Sequence, residues 1–197
     1  MGLSEELRSM ADDITRRVLQ ARAVVNPSLD VLKRFVEYES FIATYDYRAL
    51  LHMAERASEP DEVELMSRLI EGGPRWITNV RRLAEILGVT PSLGRVPPRA
   101  LGYSQFLSWL SINGTIGDLA AAVIVNFPTF CTNTSRLADW ASSVGVSGVD
   151  FLRCRGLDQY EAQLAESIAK RYYDRERYTF VVRAVQQYEL DFWEELA

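Results

Sequence analysis

The stretch TIGDLAAAVIVNFPTFCTNTSRLADWASSV, Thr115 to Val144, decides the fold class. Its β-branched run Val123-Ile124-Val125 sits inside helical spacing, so the stretch reads as one long helix with a kink near Pro128. Its most apolar part, Leu119 to Phe127, is far shorter than the ~20 residues a membrane span needs. Asn113-Gly114 forms the turn before it, and Gly145 and Gly148 punctuate after it.

Working outward, the neighbouring segments have the same period. Arg99 to Ile112 reads as a helix with Tyr103, Phe106 and Trp109 spaced three apart on one face. Val149 to Tyr173 and Arg177 to Leu196 read as the last two helices. Upstream, Ser4 to Val24 is a helix with Ser4 as its cap, broken at Asn26-Pro27. Ser28 to Ala57 is a long helix or two in tandem, Asp61 to Gly72 is the next, and Arg75 to Leu87 ends at Gly88. Val89 to Pro98 is a Pro/Gly-rich loop, and Gly94 and Gly102 read as loop glycines. No strand signal, internal repeat or interdomain linker appears. The expectation is an all-α bundle of about seven or eight helices, residues 1–197 forming a single domain, with an apolar pocket in its second half.

Bulk properties narrow the function classes. The chain has 197 residues, 48% hydrophobic and 25% charged, with net charge -5. A chain of this length buries enough surface to need no metal or disulfide staple. Arginines are scattered rather than clustered, so a basic stripe for nucleic acid is absent. The start, MGLSEELRSMADD, is acidic and polar, unlike a secretory signal, and there are two cysteines, Cys131 and Cys154. Together these imply a reducing, cytoplasmic setting, with no membrane partner. Cys131 is either a nucleophile or a small buried hydrophobe.

The single histidine, His52 in LLHMAERA, cannot supply the two Glu-x-x-His pairs of a di-iron bundle, and it counts against haem. No phosphate-binding glycine loop, dinucleotide motif, serine elbow or CxxC occurs, so no cofactor and no metal are expected. Carboxylates and tyrosines remain. Glu39 lies in FVEYESFIATY and Glu189 in VQQYELDFW, each among aromatic residues. Such a carboxylate either loses solvation, which raises its pKa toward proton-transfer values, or lies on the solvated face of an amphipathic helix. Asn126 interrupts an apolar run, as a pocket residue or as a structural partner.

Four strings, LDVLKRFVEYESF (29–41), PPRALGYSQFLSWL (97–110), NGTIGDLAAAVIVNF (113–127) and QQYELDFWEEL (186–196), resemble in order and spacing the TenA/THI-4 family of thiaminase II-like aminopyrimidine hydrolases. The resemblance implies a haem-oxygenase-like helical bundle, a homo-oligomer (dimer or tetramer), and a small aromatic or pyrimidine ligand. By position it assigns Glu39 to the acidic residue that binds the ring amine, Tyr103 to a site tyrosine and Glu189 to the C-terminal glutamate. Ile42, Phe41, Asn126, Phe127 and Phe130 are the implied substrate-binding residues. Three positions depart from the family pattern: the nucleophilic cysteine falls on Asn126, the stacking aromatic on Ile42, and a second tyrosine near Arg155. The implied function is hydrolysis of an aminopyrimidine, as in thiamin salvage, without the usual cysteine. The alternative is a non-catalytic binding or scaffold protein on the same fold; an oxidase or metal enzyme is a third and weaker reading.

Overall fold

The computed structural model describes residues 2–197. Ten α-helices follow one another: α1 (Leu3–Met10), α2 (Asp12–Leu19), α3 (Arg22–Val25), α4 (Leu29–Ala54), α5 (Pro60–Glu71), α6 (Gly73–Ile86), α7 (Gly102–Asn113), α8 (Ile116–Ser143), α9 (Gln159–Arg171) and α10 (Arg175–Glu195). Three 3-10 turns, Leu93–Arg95, Pro98–Leu101 and Asp150–Leu152, lie in the connections. Among the described residues there is no strand, and no helix is long and apolar enough to cross a membrane.

Helix starts follow their local chemistry. Ser28 accepts from the Val31 amide, and Thr115–Asp118 and Asp158–Glu161 form capping boxes at α8 and α9. Pro60 opens α5 within a Glu59–Glu62 capping box. The expected first helix is divided into α1, α2 and α3. Ala11 and Ala21 are buried at the two bends, so the chain turns to follow the core instead of leaving it. Ser4 caps nothing; its hydroxyl donates to Glu166. The expected helix from Val149 to Tyr173 is likewise a 3-10 turn, an extended link and α9. Gly102 begins α7 and is not a loop residue.

Two apolar clusters share α8 and α10. One gathers the first half of α8 (Leu119 to Val125) with α1, α5, α7, α9 and the first half of α10. The other gathers the second half of α8 with α2, α3, α6, the first half of α4 and the C-terminal end of α10, around Phe35, Phe192 and Trp193. Ion pairs tie the helices together: Arg177 reaches in to the fully buried Asp118 at 2.8 Å, and Arg99 pairs with Asp191 and Glu194 at 2.7 Å.

One close approach needs a residue without a side chain. A Cβ on Gly117 would lie 2.3 Å from Tyr172 Cβ and 2.6 Å from Tyr178 Oη. Tyr178 is fully buried and donates to the Ala169 carbonyl, so it cannot step aside. Gly117→Ala is expected to destabilise by about 2 kcal/mol, an overpacking cost. In a chain of this size that lowers the melting temperature by roughly 6 °C, measurable by calorimetry. An unchanged melting temperature would refute the tight contact.

Candidate functional site

Where the two clusters meet, a cavity of about 340 Å³ opens between α4, α6, α7, α8 and α10. One stripe of α4 forms a wall: Glu39, Ile42, Ala43, Asp46, Tyr47 and Leu50 recur at helical spacing. Facing it stand Leu119, Val123, Asn126, Phe127 and Phe130 of α8, Tyr103 and Leu107 of α7, and Glu189 and Phe192 of α10. Trp76 of α6 and Cys154 also line it. The cavity therefore draws on the first half of the chain as heavily as on the second. None of the residues lining it is basic.

Glu39, Glu189, Tyr103, Asn126, Ile42, Phe127 and Phe130 are thus brought together. Phe41 is not; it packs against the cluster around Phe35 and Trp193. The helix explains this, since two residues on from Glu39 is a turn of about 200°, which leaves Phe41 on the opposite side of α4. Arg155 also lies outside, pairing with Asp158 at 3.4 Å on the surface.

Each carboxylate has a defined set of donors. Glu39 is 4% exposed and accepts from Trp76 Nε1 at 2.9 Å through Oε2. Glu189, also 4% exposed, accepts from Trp193 Nε1 at 2.7 Å and from Asn126 Nδ2 at 3.0 Å, one on each oxygen. Asn126 is therefore both a cavity residue and a structural partner. Gln186 backs it, bonding Thr15 and Thr129 on α2 and α8. Asp46 accepts from the Ser104 hydroxyl.

Burial drives the electrostatics. Desolvation pushes Glu39 up to about 8, against the Trp76 hydrogen bond, and the charges of Asp46 and Glu189 push the same way. Desolvation likewise pushes Asp46 up to about 7 and Glu189 up to about 7. Tyr103 is raised well above its ordinary value by desolvation and by the three carboxylates around it. Raised this far toward neutrality, carboxyls lining one cavity can serve as proton donors or acceptors.

Asp46, Trp76 and Ser104 escaped the sequence reading. Asp46 carries a signal that could have found it: it lies seven residues after Glu39, on the same face of α4. Trp76 and Ser104 carry none, because their pairing is set by how α6 and α7 pack on α4.

Cys131 and Cys154 form a disulfide, with Cα atoms 5.1 Å apart. This corrects the reading of Cys131 as a free small hydrophobe, and the cysteines no longer argue for a reducing compartment. The bridge pins the link after the Asp150–Leu152 turn onto α8, while Phe151 rests on Trp76 at 5.1 Å between ring centroids. His52 is exposed, beside Glu55. Among the described residues no group of three or more His, Cys, Asp or Glu side chains is placed to hold a metal ion.

No protein-family model and no curated protein sequence matches the chain. Solved structures do match it in shape, among them two TenA homologues. A TenA homologue from Pyrococcus furiosus superposes with a TM-score of 0.69 at 16% identity, covering 98% of this chain and 99% of that one. A TenA homologue from P. horikoshii OT3 gives 0.71 at 19% identity, covering 100% and 98%. End-to-end agreement with both shows that this chain is built on the all-α fold of the TenA homologues.

Proposed function

We propose that the cavity binds a small aromatic amine of the aminopyrimidine class and hydrolyses it without a cysteine nucleophile. The observation that carries this is the convergence of Glu39 from α4 and Glu189 from α10, with Tyr103, on one apolar cavity. An exocyclic amine can donate to the open oxygen of Glu39, Oε1. Ile42, Phe127 and Phe130 supply apolar walls for the ring. Glu189, held by Trp193 and Asn126, takes a proton from water as the water attacks the carbon bearing the leaving amine. The C–N bond breaks, and Glu189 passes the same proton to the departing nitrogen. The Tyr103 hydroxyl, kept protonated by its surroundings, stabilises the transferring groups as a donor. Water replaces the thiolate because both cysteines are spent in the bridge and Asn126 occupies the cysteine position of the resemblance.

One observation favours a second reading, a binding protein without turnover. The residues that depart from the family pattern remain departures in three dimensions: Ile42 gives the ring no stacking partner, and Arg155 lies outside the cavity. A panel of amino- and formylaminopyrimidines separates the two. The enzyme reading expects ammonia or formate release from at least one member, together with a raised melting temperature. Thermal stabilisation without product favours the binder, because ligand binding to the folded state alone raises stability. Neither stabilisation nor product would overturn both.

A further inference from the structure

One wall of the cavity is held by a covalent bond. Cys154 lines the cavity and is half-buried, and its partner Cys131 is buried on α8. Cys154 belongs to the link between the Asp150–Leu152 turn and α9. Among the described residues, positions 154–157 of that link make no backbone–backbone hydrogen bond. Arg155 pairs with Asp158 and Glu161 at 3.4 and 3.8 Å, which ties the link to the start of α9 and not to α8. Arg153 reaches Asp139 and Ser142 of α8 from the surface, where an ion pair is worth little. The Thr134 hydroxyl stands 3.6 Å from Cys154 Sγ, and buried Gly156 lies against Pro128. The disulfide is therefore the strongest tether of this stretch to α8. A chain of this length folds without a staple, so the bridge can open while the core stays closed.

The link also backs the cavity's carboxylate network. Phe151, three residues before Cys154, packs edge-on against Trp76, whose ring also meets Phe130 at 5.7 Å between centroids. The Trp76 indole in turn donates to Glu39. We propose that Cys154 is an exchange site for a dithiol reductant, and that opening the bridge releases the cavity wall and loosens the contact between Trp76 and Glu39. The reductant's thiolate attacks Cys154 Sγ, the more exposed sulfur. The bond to Cys131 breaks, and Cys131 leaves with the electron pair and takes up a proton. The reductant's second thiol gives up its proton and attacks its own sulfur in the mixed disulfide, expelling Cys154, which is protonated in turn. The bridge gains two electrons and two protons, and the reductant becomes a cyclic disulfide. A dithiol suits this because its second step is intramolecular. An oxidised dithiol of the same class runs the exchange backward. The oxidised protein is then the form with a closed, ordered cavity, whatever ligand that cavity takes.

NMR of the isotope-labelled full chain reads the four indole N–H signals before and after dithiothreitol. Trp76→Phe assigns the signal of interest. Reduction should shift or broaden the Trp76 signal. It should leave in place those of Trp109, stacked on Phe106 of α7, and Trp193, buried against Phe35. The double variant Cys131→Ser, Cys154→Ser should give the reduced spectrum and ignore dithiothreitol. Affinity for 4-aminopyrimidine, measured by calorimetry, should weaken about ten-fold on reduction. A Trp76 signal that keeps its place in the reduced protein would overturn the proposal. So would movement of all four signals together, which makes the bridge a staple of the whole fold. A bridge that resists dithiothreitol in the folded protein, or an affinity equal in both states, would overturn it as well. Should the double variant fail to fold, reduction and reoxidation of the wild type decide. Absence of 4-aminopyrimidine binding in both states would count against the ligand reading alone, and the indole signals then decide the exchange site by themselves.

Discussion

Glu189→Gln is expected to lower turnover of an aminopyrimidine substrate by about 100-fold or more, the usual worth of a positioned general base. The substitution keeps the shape of the side chain and removes its capacity to take a proton. Its effect on folding is small because two terms oppose. A glutamine oxygen can face either Asn126 Nδ2 or Trp193 Nε1 but not both, so one buried hydrogen bond, about 1 kcal/mol, is lost. Against that, a carboxylate whose ionisation burial already resists is replaced by a neutral amide. The melting temperature should therefore move by only a few degrees. Steady-state kinetics beside calorimetry checks both halves. A variant that retains full turnover would remove Glu189 from the chemistry, whereas one that unfolds would make it a structural residue.

The second large effect concerns pH. Glu39, Asp46 and Glu189 have folded-state values of about 8, 7 and 7, above their ordinary 4.5, 3.8 and 4.5. The folded state thus holds protons that the unfolded chain gives up. Their stabilisation is fully present below about pH 4 and is lost as pH rises through the folded values near 7 to 8. Each unit of displacement is worth about 1.4 kcal/mol, so the coupled cluster amounts to several kcal/mol. The melting temperature is expected to fall by roughly 10 °C between pH 5 and pH 9. Glu39→Gln, which removes the largest displacement, should flatten that slope. Opposite contributions from Asp13 and Asp158, whose values are lowered by Arg183 and by the α9 cap respectively, act at lower pH and leave this window clear. A melting temperature that is level or rising up to pH 9 would contradict the burial of the cluster.

How far these features were legible in the sequence depends on the range of the interaction that sets them. Helical periodicity is local, so the all-α class and the extents of α4, α6, α8 and α10 were readable within a few residues. The breaks at Ala11 and Ala21 were not, because they answer to the core beneath and carry no glycine or proline signal. Glu39 and Glu189 stood out as acids among aromatic residues, but whether they faced water or the interior was open until α4 and α10 were set against one cavity. Phe41 was misplaced because proximity in sequence to Glu39 and Ile42 was taken without its 100° step per residue. Cys131 and Cys154 are 23 residues apart, with a helix end and a turn between them, and nothing in either neighbourhood announces that they meet.

That meeting bears on how the protein responds to thiol-directed reagents. Hydrolases that depend on a thiolate are vulnerable to electrophilic warheads, which capture the sulfur irreversibly. Here both cysteine sulfurs are engaged with each other, so haloacetamides and acrylamides find no free thiol in the intact protein.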